Sequence, residues 1–271
     1  MMDNRLNYHQ ISTESGQVGY VKLGAGHPLI MLVGYSGNLL HWNSEFIYAL
    51  AQKFTLYLPD NRLVGLSNSS NPEDMDGLAQ DVIDFIIALD LSQPLICGWS
   101  MGGIIAQAVV NQQPQLIAGM ALIVSQPDYS YTFGELHNLV RNLRDYPSRE
   151  SREKLTELFF STQPTIEFRK YLAKTILPIE HYVYPFNVQA QALQDLAVTK
   201  WQADLTKLAQ YSAPVLITTA KNDLVTKPQA SWILHQTLPN SKLISYPDGG
   251  HFFMHHYPQS LANEIIRYFV A

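Results

Sequence analysis

The sequence has a single cysteine, Cys97, in 271 residues. That excludes an internal disulfide and any metal site made of paired thiolates. Charge is scarce too: Asp, Glu, Lys and Arg make up 15% of the chain, against about a quarter in ordinary domains. The 18 Lys and Arg residues are scattered, and a net charge of −5 with a pI near 6.0 gives nucleic acid no electrostatic reason to bind. No run of about 18 apolar residues occurs, so no transmembrane helix is expected. The polar opening stretch, Met1 to Gln10, lacks the apolar region of a signal peptide. The expectation is a cytoplasmic protein with a small-molecule ligand and no nucleic-acid or membrane partner. A homo-oligomer stays open.

What the chain does have is core: 46% of it is hydrophobic. The runs HPLIMLVG, FTLYLPD, QPLICG and LIAGMALIVS are continuously apolar, as strands buried on both faces must be. Helix-length patterns separate them. Leu78, Val82, Phe85, Ile86 and Leu89 recur at three- and four-residue spacing, which predicts an amphipathic helix. Alternation of this kind implies an α/β fold, a mostly parallel sheet with helices on both faces. From about Gln126 the rhythm breaks into aromatics, prolines and helix-like pieces such as SREKLTELFFS and FNVQAQALQDLAV. It resumes at APVLITTAKND. The predicted organisation is therefore a core of residues 1–126 and 209–271, interrupted by a mostly helical insertion over 127–208.

One short stretch carries chemistry. Gly98-Trp99-Ser100-Met101-Gly102 fits G-x-S-x-G and lies between a predicted strand and a predicted helix. A sharp turn there lifts the serine hydroxyl clear of the sheet, and glycines flank it because side chains would crowd the turn. A serine hydroxyl needs a base. Of nine histidines, His251 is the best placed, in a glycine loop after a short strand, YPDGGHFF. His255 and His256 read as surface or packing residues, and His9, His27, His41, His137, His181 and His235 have no such setting. The imidazole in turn needs an orienting carboxylate. Asp223, after the apolar run VLITTA, is one candidate and Asp128, ending LIVSQPD, is the other, while Asp248 reads as a turn residue.

On these residues the chain resembles the α/β-hydrolase fold superfamily, in which the triad follows in the order serine, acid, histidine. The resemblance spans about residues 15 to 270 and implies Ser100, Asp223 and His251 as the triad. It also implies an oxyanion hole from the N–H groups of Met101 and of Tyr35, the latter in Val33-Gly34-Tyr35 with Trp42 beyond. Val33 stands where such proteins usually have histidine. Asp60, Arg62, Gly65 and Ser67 match the superfamily's D-x-R-G-x-G-x-S loop, with Leu63 in place of a glycine and a structural role implied. The insertion corresponds to the variable cap, and brings Tyr129, Tyr131, Phe133, Phe159, Phe160, Phe168, Tyr171, Tyr182, Tyr184 and Phe186. Most of these are expected to pack; Tyr129, with Trp99, Leu39 and Tyr35, is expected to line the substrate pocket. The implied activity is that of a serine hydrolase, first of all a carboxylesterase, with no metal or organic cofactor. C–C bond hydrolysis, lactonase, cofactor-independent oxygenase or perhydrolase chemistry, and a non-catalytic ligand-binding role are the alternatives.

Overall fold

The computed structural model describes residues 5–145, 148–182 and 187–270. In chain order its elements begin with strands β1 (Tyr8–Ser12), β2 (Gly16–Gly24) and β3 (His27–Leu32), helix α1 (Ser44–Leu50), and strands β4 (Phe54–Pro59) and β5 (Asn68–Ser69). Helix α2 (Met75–Ala88), β6 (Leu95–Trp99), α3 (Met101–Gln112) and β7 (Gly119–Ile123) follow. Then come α4 (Leu136–Asp145), α5 (Arg149–Phe160), α6 (Ile166–Lys174), α7 (Val188–Lys200) and α8 (Leu205–Leu208). The chain closes with β8 (Val215–Ala220), α9 (Gln229–Thr237), β9 (Ser241–Tyr246) and α10 (Pro258–Val270).

The strands form one sheet in the order β1-β2-β4-β3-β6-β7-β8-β9, with β5 on β2. β3, β4 and β6 to β9 run parallel, and β1 and β2 are antiparallel at one edge. Every residue of β6, β7 and β8 is buried, which is why those runs are continuously apolar. One hydrophobic cluster joins α2, α3 and α9 to one face of the sheet, and a second joins α1 and α10 to the other. The fold is thus the predicted α/β architecture. β1 and α9 were not expected: β1 is a polar, half-exposed edge strand with no apolar run to announce it.

Between β7 and β8 the described residues form helices and one-turn segments, joined to the rest by isolated bridges. The segment is attached in two ways. Leu193, Ala197 and Val198 of α7 and Leu208 of α8 belong to the α2–α3 cluster, whereas Leu136 of α4 and Leu158 of α5 form a small cluster with Val225. Tyr184 and Phe186 lie outside the described residues.

The Asp60 loop ties this segment to the sheet edge. Asp60 is buried and accepts from the hydroxyls of Tyr8 on β1, at 2.6 Å, and Tyr182, at 2.7 Å. Arg62, also buried, pairs with Asp81 at 2.7 Å and donates to the carbonyls of Asn71, Pro72 and Gly77. Leu63 adopts φ of 62° at the position where the superfamily pattern has glycine, so the turn is kept at the expense of strain.

Burial pushes the Asp60 carboxyl up to about 6, against the opposing pull of the two tyrosine hydroxyls. Between about pH 4 and 6 the folded chain therefore holds a proton that the unfolded chain has released. Stability from this group is present at the acid end and is lost as pH rises through the folded value. Urea unfolding of wild type and Asp60→Asn at pH 4 to 7 tests this. The wild type should lose about 2–3 kcal/mol relative to the variant across that window, and a gap independent of pH would refute the assignment.

Candidate active site

Ser100 sits between β6 and α3 with φ of 55° and ψ of −117°, a conformation costly for any residue with a side chain. The turn is closed by backbone contact. A Cβ on Gly98 would lie 2.4 Å from the Gly102 carbonyl, and one on Gly102 would lie 2.0 Å from the Leu32 oxygen on β3. Ser100 N–H donates to the Ile123 carbonyl at 2.8 Å, and the Ser125 hydroxyl donates to the Ser100 carbonyl at 3.1 Å. The hydroxyl-bearing residue is thereby fixed at the carboxyl end of a central strand, with the first turn of α3 behind it.

His251 lies in the turn after β9, and its Nδ1 is 2.9 Å from Asp223 Oδ2. Both side chains are buried. The other carboxylate oxygen of Asp223 accepts from the N–H groups of Val225, at 2.7 Å, and Thr226, at 3.0 Å. A carboxylate only accepts, so Nδ1 carries a proton, and in the neutral ring the lone pair is on Nε2. Asp128, the other acid considered, caps a one-turn helix through Ser130 N–H at 2.8 Å instead. The loops are themselves tied: Gly250 N–H donates to Asn222 Oδ1 at 3.0 Å, and the Ser161 hydroxyl donates to the Asn222 carbonyl. Gly250, at φ of 61°, has no room for a Cβ, since the end of α5 lies against it.

Ser100 and His251 face one cavity of about 440 Å³, walled by Gly34, Tyr35, Ser36, Gly37, His41, Trp99, Leu136, Val140, Leu143, Leu155, Phe159, Val225 and Phe252. The wall is mainly hydrocarbon. Phe159 stacks on Phe252, with centroids 4.5 Å apart, and lies 6.1 Å from the His251 ring. Trp99 packs edge-on against Phe252 and donates its indole N–H to the His251 carbonyl at 3.3 Å. In two histidines nearby the surroundings oppose protonation. Burial lowers His41, and burial together with the facing His41 and His256 holds His255 down to about 3.

Trp99 and Tyr35 are thus in the cavity wall, and Met101 opens α3. Leu39 and Tyr129, expected there as well, are not among the lining residues. Leu39 is fully buried with Trp42 and Phe46, because the one-turn helix Leu39–His41 turns its first residue into the core and His41 toward the cavity. Tyr129 packs instead against the cluster on the α2–α3 face. Among the other aromatics of 127–208, Phe159 lines the cavity; Phe160 packs on Phe168 and Phe252, and Tyr182 holds Asp60. His41 was passed over because nothing near it in sequence marks it. The spacing of Leu136, Val140 and Leu143 on α4 was a usable signal, since it places them on one helix face.

Comparison with known proteins agrees with this architecture. A family model described as "alpha/beta hydrolase fold" matches residues 27–256. A pimeloyl-[acyl-carrier protein] methyl ester esterase of Nitrosomonas europaea is 27% identical over 237 residues, 84% of this chain and 90% of that protein. A putative non-heme bromoperoxidase, BpoC, of Mycobacterium tuberculosis is 22% identical over 260 residues, 94% of this chain and 98% of that one. Among solved structures, an alpha/beta hydrolase fold protein from Chitinophaga pinensis superimposes with a TM-score of 0.80 at 24% identity, covering 98% of this chain and 97% of its own. With a strand–Ser100–helix turn at its centre and the family model spanning most of its length, the chain belongs to the α/β-hydrolase fold family.

Proposed function

We propose that the protein is a serine hydrolase that cleaves a carboxylic ester of small to medium apolar character through an acyl-enzyme. The observation that carries the reading is the Asp223–His251 hydrogen bond, with His251 and Ser100 lining one apolar cavity. The esterase name of the Nitrosomonas relative supports it.

On this reading the steps are those of an acyl-enzyme mechanism. His251 Nε2 takes the proton from the Ser100 hydroxyl as the oxygen attacks the acyl carbonyl. Asp223 holds the ring in the required tautomer and stabilises the imidazolium. The N–H groups of Tyr35 and Met101 receive the oxyanion, each worth roughly 10²–10³-fold in rate. His251 then protonates the departing alkoxide. Water, deprotonated by the same nitrogen, attacks the acyl-enzyme and releases the acid. The hydrocarbon walls from α4, α5 and Phe252 suit an apolar acyl or alcohol group.

The match to a protein named as a putative bromoperoxidase favours one further reading, in which hydrogen peroxide replaces water as acceptor of the acyl group and the product is a peracid. Both readings require the acyl-enzyme, and they differ in the second nucleophile.

Hydrolysis of para-nitrophenyl esters of graded chain length, with wild type and Ser100→Ala in parallel, is the direct test. Wild type should turn over, the variant should fall to background, and equal activity in both would defeat the proposal. Peracid formation from a carboxylic acid and peroxide, exceeding ester hydrolysis, would favour the second reading. Asp223→Asn should lower kcat by about 10⁴, as the same exchange does in another triad enzyme. Near-normal turnover in that variant would remove Asp223 from the mechanism.

A further inference from the structure

The loop after β3 is held from a direction that the triad does not require. Ser36 has φ of 56°, in the left-handed region that disfavours a residue with a side chain. Such a loop keeps its shape only where its surroundings over-determine it. The turn itself supplies one bond, Gly37 N–H to the Gly34 carbonyl at 3.1 Å. Further ties come from α7, about 160 positions along the chain. Ser36 N–H donates to Gln194 Oε1 at 2.7 Å. The Tyr35 hydroxyl donates to Asp195 Oδ1 at 2.5 Å and accepts from Gln191 Nε2 at 3.2 Å.

Gln191, Gln194 and Asp195 stand at i, i+3 and i+4, so they occupy one face of α7. Gln191 and Gln194 are 2% and 1% exposed, and a primary amide is retained at such depth only when its hydrogen bonds are made. The helix behind them is anchored in the core by Leu193, Ala197 and Val198. Two of the three ties fall on the Tyr35 side chain, and the third falls on the peptide that follows it. Together they fix the backbone of the residue whose N–H is assigned to the oxyanion. Gln194 itself does not line the cavity.

We propose that Gln194, supported by Asp195 and Gln191, is a positioning residue for the oxyanion loop: helix α7 holds Tyr35 N–H in the direction that the tetrahedral intermediate needs. The proposal rests on the serine-hydrolase reading. Of the two oxyanion donors, Met101 N–H comes with the nucleophile turn and Tyr35 N–H is aimed from the segment between β7 and β8. Loss of the tie therefore weakens transition-state binding while the triad stays intact.

The test compares wild type with Gln194→Met, which keeps side-chain volume and removes the acceptor, and with Gln194→Glu, which restores an acceptor oxygen. Turnover is expressed per serine titrated by a phosphonate, so that misfolded molecules do not count. A trifluoromethyl ketone, which forms a tetrahedral adduct, reports oxyanion binding. Gln194→Met should lower kcat per titrated site by about tenfold or more and weaken the ketone in parallel. KM should stay within about twofold, since only transition-state binding is lost. Gln194→Glu should recover part of both losses. If Gln194→Met fails to fold, Asp195→Ala, half-exposed and favourable in a helix, releases the Tyr35 hydroxyl and should shift kcat and ketone binding in the same direction. Unchanged kcat per site and unchanged ketone affinity in a folded variant overturn the proposal and leave the hydrolase reading standing. A wild type that neither cleaves esters nor takes the phosphonate overturns both.

Discussion

The backbone of Ser100 is the constraint on which the rest depends. Its conformation costs on the order of 1–3 kcal/mol, and it persists because three parallel strands hold it. Ser100 N–H is bonded to β7 through Ile123, and Gly102 rests on the last carbonyl of β3. The next strand is strained as well: Val124, a β-branched residue, has φ of 43° and bonds through its N–H to Thr218 on β8. Ser125, immediately after it, reaches back to the Ser100 carbonyl, and Gln107 of α3 donates to both Ser125 and the Gln126 carbonyl. The strain at the nucleophile is thus shared across neighbouring strand ends and offset by a sheet whose central strands are wholly buried. Rigidity at this point lets a hydroxyl stand in a fixed place without a hydrogen bond from its own side chain to cap the helix.

The same strand ends gather the other groups. Asp223 follows β8, His251 follows β9 and the Tyr35 loop follows β3, so each arrives on the same edge of a parallel sheet. What surrounds them is low in polarity. Burial opposes protonation of the histidines packed near the cavity, His41 and His255, and the remaining wall is mainly hydrocarbon. In such a medium a backbone N–H aimed at a developing oxyanion acts far more strongly than it would in water.

That geometry explains which parts of the chain could be read in advance. Ser100 and Asp223 could be singled out because each follows a wholly buried, apolar strand, and His251 because two glycines precede it in the loop after β9, a strand of mixed pattern. The parallel sheet was legible for the same reason, since strands buried on both faces leave continuous apolar runs. The edge strand β1 leaves no such run. Leu39 and His41 exchanged expected places because one turn of a tight helix decides which of them faces inward, and composition does not record that rotation. The polar residues of α7 were illegible for a related reason. In QAQALQDLA polar residues occur all round the helix, and burial of Gln191 and Gln194 follows only from where the helix docks.

Docking also divides the segment between β7 and β8 into two parts with different consequences. α7 and α8 join the core cluster, and α7 reaches the loop after β3 through hydrogen bonds, which demand fixed geometry. α4 and α5 touch the core through a small cluster, Leu136, Leu158 and Val225, and through Phe159 against Phe252. Apolar contacts of that kind tolerate exchange of similar volumes, whereas a buried hydrogen bond does not tolerate loss of one partner. On the proposed hydrolase reading, changes on α4 and on the apolar face of α5 reshape the wall that meets the substrate, whereas changes on the inner face of α7 act on the loop that carries Tyr35. On that reading substrate choice and rate are carried by different helices of one segment, because one rests on the cavity by packing and the other is bonded to the loop beside it.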